Sequence, residues 1–312
     1  MPVKHLLSLS DLDSATILSL AETAVAIAEG RSGLERPLAG RIVGIYFRKT
    51  STRTRTAFTV AAMKLGAQVI AYGPNDLQLV TGESVPDTTR VLANYLDAIV
   101  IRTNETIEEM RQFALQDRMA VVNAMSDHEH PTQALADLAT LREQFGRLAG
   151  LHLLYMGEGN NSASAISLAV ARIPGMRLTI VTPKGYGLPE NFLEEVQAMA
   201  AANGSEVEQH HDMGRLPHGV DAVYTTRWLT MGVKKADPDW IPLFRPYTVT
   251  AAVMAEVSKA DGSTVFLHDL PAMRGYEVLD EVLDSPQSIA FRQAHHKLTS
   301  AMAVLNWCLA DK

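Results

Sequence analysis

Short apolar runs recur along this chain at intervals that leave room for one helix between each pair, and this spacing constrains the fold more than any single motif. Residues 42–47, 69–72, 98–101 and 120–122 are such runs, separated by stretches of helical character. The alternation reads as a parallel sheet wrapped by helices. It restarts after Gly146 with residues 151–156, 178–181, 222–224 and 265–267, which predicts a second sheet. The expected fold class is therefore α/β, with two domains, each a parallel β-sheet flanked by helices. At 312 residues the chain is long enough for two cores of roughly 150 residues each.

Pro131 favours the first turn of a helix running to about Phe145, and such a helix would connect the domains, as would a last helix over roughly 288–309. The boundaries drawn on this pattern are 1–143, with 288–312 packing back on it, and 144–287. At the N-terminus, Ser10 with Asp13 resembles a capping box, and Ile17, Leu20, Ala21, Ala24 and Ile27 fall at helical spacing up to Gly30. These residues predict a first helix over roughly 11–29.

Composition excludes several function classes. The formal net charge of −7, with 47% apolar and 20% charged residues, disfavours a nucleic-acid partner. No apolar segment at the start resembles an export signal and none suggests a membrane partner, so a cytoplasmic location is expected. Cys308, the only cysteine, lies in an apolar stretch and is expected to be a buried, inert thiol.

Two clusters carry chemistry. Ser51, Thr52, Arg53, Thr54 and Arg55 lie where a strand hands over to a helix. Free N–H groups, hydroxyls and a guanidinium gathered there suit a phosphate, although a Ser/Thr-capped basic turn has the same composition. The second cluster, residues 128–133, sets His130 and Gln133 three apart at another helix start, where a histidine can stabilise a developing oxyanion. The His128/His130 pair raises a metal reading, but Pro131 and the lack of a third nearby ligand disfavour it, so no metal is expected. Gly157 and Gly159 after a strand are weak evidence for a nucleotide site. Lys234 and Lys235 read as a solvated pair.

Ser-Thr-Arg-Thr-Arg at 51–55, His-Pro-Thr-Gln-Ala-Leu-Ala-Asp-Leu at 130–138 and His-x-Leu-Pro-Ala at 268–272 together resemble the aspartate/ornithine carbamoyltransferase family, over residues 5–309. Residues 121–123, 157–161, 182–186 and 231–232, and the tail from Glu277, look closer to the ornithine branch. The resemblance implies an enzyme that moves the carbamoyl group of carbamoyl phosphate to an amine, without metal, cofactor or covalent intermediate. It implies that Ser51, Thr52, Arg53 and Thr54 hold the phosphate. Thr54, Arg102, His130 and Gln133 would contact the carbamoyl group, and Arg102, His130 and Thr54 would be catalytic. A homotrimer, or a higher assembly of trimers, is likewise implied.

The acceptor half departs from both well-known branches. Where ornithine enzymes typically read Asp-x-Trp-x-Ser-Met-Gly, this chain has Thr226, Arg227, Trp228, Leu229, Thr230, Met231 and Gly232. The acidic partner for an acceptor ammonium is gone. Thr226-Arg227 looks like the aspartate branch, in which the arginine takes an acceptor carboxylate. Asp269 stands where ornithine enzymes typically have cysteine, and Lys297 replaces an arginine of the final helix and joins the expected carbamoyl-phosphate contacts. The loop at 81–84 lacks the lysine of the aspartate enzymes. Asn161 matches an asparagine that contacts the acceptor carboxylate. The expected acceptor residues are thus Asn161, Thr226, Arg227, Thr230, Met231, Asp269 and Leu270, and the acceptor an amino-acid-like compound distinct from ornithine and aspartate. Two alternatives stay open: a non-catalytic carbamoyl-phosphate-binding protein, and ordinary ornithine carbamoyltransferase activity with unusual contacts.

Overall fold

A computed structural model describes residues 3–229, 235 and 237–310. The chain divides into two compact units, residues 1–140 with 295–312, and residues 141–294. Both are α/β, each built on a parallel sheet flanked by helices, as the alternation of apolar runs predicts.

In the first unit the strands are β1 (Ile42–Phe47), β2 (Gln68–Tyr72), β3 (Ala98–Arg102) and β4 (Ala120–Met125), paired in the order β2-β1-β3-β4 and all parallel. The connections carry α2 (Arg53–Lys64), α3 (Val85–Leu92) and α4 (Ile107–Phe113). β3 and β4 are buried along their whole length, which is why both open with unbroken apolar runs, 98–101 and 120–122, instead of alternating. Tyr46, Leu92, Ile99, Ile101, Phe113 and Val121 pack into one core.

The helix α1 (Ser14–Ala28) begins later than the periodicity predicts. Asp13, not Ser10, is its N-cap, accepting the Thr16 N–H at 2.7 Å, and residues 9–11 form a separate 3-10 turn in which Ser8 accepts the Ser10 N–H. The Asp13 carboxylate, one residue before the first helical residue Ser14, caps α1 directly, so the expected capping box never forms.

In the second unit the strands are β5 (His152–Met156), β6 (Arg177–Val181), β7 (Glu206–His210), β8 (Ala222–Thr225) and β9 (Val265–His268), in the order β7-β6-β5-β8-β9 and again parallel. The helices are α6 (Asn161–Arg172), α7 (Glu190–Asn203), α8 (Trp240–Phe244), α9 (Ala251–Val257) and α10 (Asp280–Leu283). β7 has no counterpart among the expected strands. It is an edge strand in which Val207 alone is buried, so it offers no apolar run to find. The chain passes between the units within α5 (Pro131–Phe145) and again within α11 (Ala290–Leu309). Cys308 is buried, as its apolar context predicts. No helix among the described residues is long and apolar enough to cross a membrane.

The two sheets share one electrostatic device. Asp97, just before β3, accepts the Ile42 N–H at 2.9 Å and pairs with Arg41, while its own N–H donates to the Ile42 carbonyl. Asp221, just before β8, accepts the His152 N–H at 2.8 Å, pairs with Lys259, and donates its N–H to the His152 carbonyl. Each aspartate pins the first residue of the neighbouring central strand and so fixes the parallel register. Asp221→Ala leaves a strand N–H and a lysine without their carboxylate, and should lower stability by about 2–4 kcal/mol. Asp221→Asn, which keeps an acceptor, should cost less. Urea denaturation followed by circular dichroism checks this, and an unshifted midpoint for the alanine variant would count against the pinning role.

Candidate active site

Parallel strands present all their carboxyl ends on one edge, and the expected donor-substrate residues leave the first sheet there. β1 ends at Phe47, paired with Arg102 at the end of β3, and the Arg48 N–H donates to the Arg102 carbonyl at 3.0 Å. The Arg48 guanidinium reaches Glu109 at 2.8 Å and Thr103 at 3.4 Å, tying this corner to α4. Ser51 and Thr52 follow, and α2 opens at Arg53. Thr52 is the N-cap residue, yet its side chain caps nothing. The first-turn N–H groups of a 12-residue helix therefore keep their capacity for an anion, and the helix dipole favours negative charge there. Thr54 is buried and Thr52 is exposed.

Arg102, His130, Gln133 and Lys297 come together. All four are buried. Lys297 of α11 donates to the side-chain oxygen of Gln133, and the Gln133 amide donates to Asp137 at 2.7 Å, which fixes which way the amide faces. His130 sits immediately before Pro131, the first residue of α5. Burial holds its imidazole well below the usual histidine range, and the positive charges of Arg102 and Lys297 add to that effect. The ring is neutral at pH 7. Its Nδ1 lies 3.3 Å from the Thr132 hydroxyl, and in the tautomer in which Nδ1 accepts that hydroxyl the proton is on Nε2, which can then donate to an oxyanion. His128, two residues earlier, is exposed.

Glu129 went unread in the sequence. It is 0% exposed, and its Oε1 accepts the Leu9 N–H at 3.0 Å while Oε2 has no hydrogen-bond partner among the described residues. Its own N–H and carbonyl close a loop with Ser126. The carboxyl thus fastens the 3-10 turn at residues 9–11 to the residue beside His130. Burial pushes its pKa up to about 7.

The acceptor candidates occupy the carboxyl edge of the second sheet. Asn160 caps α6, its Oδ1 accepting the Ser162 and Ala163 N–H groups at 3.0 and 3.2 Å. Its amide nitrogen donates to the Thr226 hydroxyl at 2.9 Å, that hydroxyl lies 2.9 Å from the Tyr155 hydroxyl, and Tyr155 donates to the Glu158 carbonyl at 2.7 Å. Since Tyr155 has one proton and spends it on Glu158, Thr226 must donate to Tyr155. The Thr226 proton is therefore committed within the protein. Asn161 is the first residue of α6. Arg227 is half-buried, and its Nε is buried without a hydrogen-bond partner among the described residues.

Asp269 is oriented by Ser162, whose hydroxyl donates to it at 2.9 Å. His268 accepts the Leu270 N–H on Nδ1 at 2.8 Å and so carries its proton on Nε2, facing Glu277 at 3.2 Å. Leu270 sits at φ +52°, a left-handed conformation costly for a branched residue, and this N–H bond helps to hold it. Thr230 and Met231 lie outside the described residues. Sequence reasoning passed over Tyr155, Asn160 and Ser162. Of these, Asn160 carried a signal, an asparagine just ahead of an apolar helical run.

The two glycines of the Gly-x-Gly pattern answer to packing. A Cβ on Gly159 would lie 2.3 Å from the Leu188 nitrogen, and one on Gly157 would lie 2.7 Å from the Trp228 indole nitrogen. Lys235 corrects an expectation as well: its side chain is 6% exposed and paired with Glu158, because aromatic rings and a carboxylate replace its water.

Two family models match the chain. The carbamoyl-P binding domain of the aspartate/ornithine carbamoyltransferases matches residues 4–143, and their Asp/Orn binding domain matches residues 149–308. An ornithine carbamoyltransferase of Gloeobacter violaceus is 39% identical over 300 residues, covering 96% of this chain and 94% of its own length. The structure of the ornithine carbamoyltransferase of Pyrococcus furiosus superposes with a TM-score of 0.91 at 34% identity, covering 100% of this chain and 98% of that one. A solved Gloeobacter violaceus ornithine carbamoyltransferase gives 0.86 at 36% identity, covering 99% and 100%.

A carboxyl whose folded pKa is raised is destabilising once ionised, so the Glu129 contribution is most favourable below its unfolded value near 4.5 and is lost as pH rises towards about 7. Glu129→Gln, which keeps the acceptor for Leu9, should raise stability at pH 8 by on the order of 2–3 kcal/mol and change it little at pH 4.5. Thermal melts of both proteins at the two pH values test the sign. Equal shifts at both would contradict it.

Proposed function

The chain belongs to the aspartate/ornithine carbamoyltransferase family, and from that premise we propose that it carbamoylates an amino-acid-like amine which bears a carboxylate and is neither ornithine nor aspartate. A short diamino acid or a modified ornithine fits the description. The observation that carries the reading is the pairing at 226–227: a threonine whose hydroxyl is engaged by Tyr155 and Asn160, followed by an arginine whose buried Nε has no hydrogen-bond partner among the described residues. A threonine hydroxyl is a poor partner for an acceptor ammonium, whereas an unsatisfied guanidinium donor suits a carboxylate.

In this reading residues 1–143 with 288–312 handle carbamoyl phosphate and residues 144–287 handle the acceptor. Ser51, Thr52, Arg53 and Thr54 hold the phosphate with the start of α2. The neutral amine attacks the carbamoyl carbon, negative charge gathers on the carbamoyl oxygen, and Arg102, His130 and Thr54 donate to it. The C–O bond to phosphate then breaks, and the departing phosphate takes the amine's proton. Gln133, held by Asp137 and Lys297, orients the carbamoyl amide. Asn161, Arg227, Thr230, Met231, Asp269 and Leu270 contact the acceptor, while Thr226 shapes the turn at Asn160. The working assembly in this reading is a cytoplasmic homotrimer, and light scattering that reports a monomer during turnover would contradict the trimer.

The names of the relatives favour a second reading, ornithine itself as the acceptor. The test is acceptor-dependent phosphate release from carbamoyl phosphate across ornithine, lysine, 2,3-diaminopropionate, N-acylated ornithines, putrescine and aspartate, with product mass as confirmation. Turnover is expected with a carboxylate-bearing amine other than ornithine and should be abolished in Arg53→Ala. His130→Ala should lower kcat by about 100- to 1000-fold. Efficient turnover of ornithine, with no gain from Thr226→Asp, would establish the second reading instead.

A further inference from the structure

Lys235 is a buried cation inside an aromatic cage. Its Nζ donates to Glu158 and stands 4.9 Å from the Phe244 ring centroid, 5.1 Å from Tyr186 and 5.5 Å from Trp240. All three rings are within cation–π range, and a carboxylate with three π faces offsets the loss of water from the ammonium. Phe244 is the centre of the cage, meeting Tyr186 edge-on at 4.8 Å, Trp240 edge-on at 5.3 Å and Trp228 at 5.2 Å.

Both halves of the acceptor site are fastened to this cage. On one side the Glu158 carbonyl takes the Tyr155 hydroxyl and the Asn160 N–H, and those residues hold the Thr226 hydroxyl. On the other side Trp228, next to Arg227, packs on Phe244 and against Gly157, where no Cβ would fit. We propose that Lys235 is a positioning residue for acceptor binding, its ammonium locking the turn at residues 157–161 to residues 226–228 in the geometry that receives the acceptor. The proposal rests on the carbamoyltransferase reading and adds to it a residue that touches no reacting atom.

The test uses the full-length enzyme and its best acceptor. Lys235→Met keeps the stem and removes the charge, and should raise the acceptor KM on the order of tenfold while the KM for carbamoyl phosphate stays within about twofold. Lys235→Ala should do the same. Tetramethylammonium, which cannot be carbamoylated, should lower the acceptor KM of the alanine variant and change its tryptophan fluorescence saturably, because Trp240 lines the cage. It should do neither to the wild type. A methionine variant that binds acceptor as the wild type does, parallel losses for both substrates, or an absence of rescue would overturn the proposal. If neither lysine variant folds, Glu158→Gln, which keeps the hydrogen-bond acceptor without the charge, carries the same KM expectation and the same contradiction. A wild type that turns over no acceptor would remove the functional reading; an active wild type beside an unaffected methionine variant would remove this proposal alone.

Discussion

Parallel pairing is the constraint on which the rest of this molecule depends. A parallel sheet collects the carboxyl ends of its strands on one edge, and whatever leaves that edge is brought together without long-range design. In the first unit, β1 and β3 end at Phe47 and Arg102 in register, so the phosphate-type turn at 51–54 starts beside the arginine that would face the carbamoyl group. β4 leads on to His130 and α5. In the second unit, β5, β8 and β9 end at Met156, Thr225 and His268, and the next residues are the Asn160 turn, Thr226-Arg227 and Asp269. Asp97 and Asp221 hold that register from the opposite end of each sheet.

Electrostatics then divides the labour. Burial and two neighbouring cations, Arg102 and Lys297, keep His130 neutral, since a charged imidazolium there would have to be desolvated. The carboxyl edge of the second sheet uses neutral groups to fix its frame, in the chain from Asn160 through Thr226 and Tyr155 to Glu158, and the Arg227 Nε has no hydrogen-bond partner among the described residues. The buried ammonium of Lys235 is spent on structure, matched by Glu158 and three rings.

The sheets were legible in the sequence because most of their strands are buried on both faces and write themselves as apolar runs. β7 was not, since an edge strand with polar flanks carries no such run. The turn at 51–55 was legible as a strand-to-helix turn, because the apolar run of β1 ends at Phe47 and α2 opens at Arg53. Glu129 and Lys235 were missed for one reason: their burial depends on partners distant in sequence, Leu9 for the first and Glu158 with Tyr186 for the second, and charged residues read in isolation look solvated. Likewise the single threonine hydroxyl at 226 reveals its commitment only once Tyr155 and Asn160 are beside it.

The central claim is that a carboxylate on the acceptor is read by Arg227. The most direct measurement compares kcat/KM for the best acceptor and for the same amine lacking its carboxylate, in wild type and in Arg227→Met. If the arginine takes the carboxylate, the wild type prefers the carboxylated amine by about 100-fold or more, a charge-assisted contact of roughly 3 kcal/mol, and the variant loses most of that preference. An equal preference in both proteins would place the recognition of the acceptor elsewhere and contradict the account.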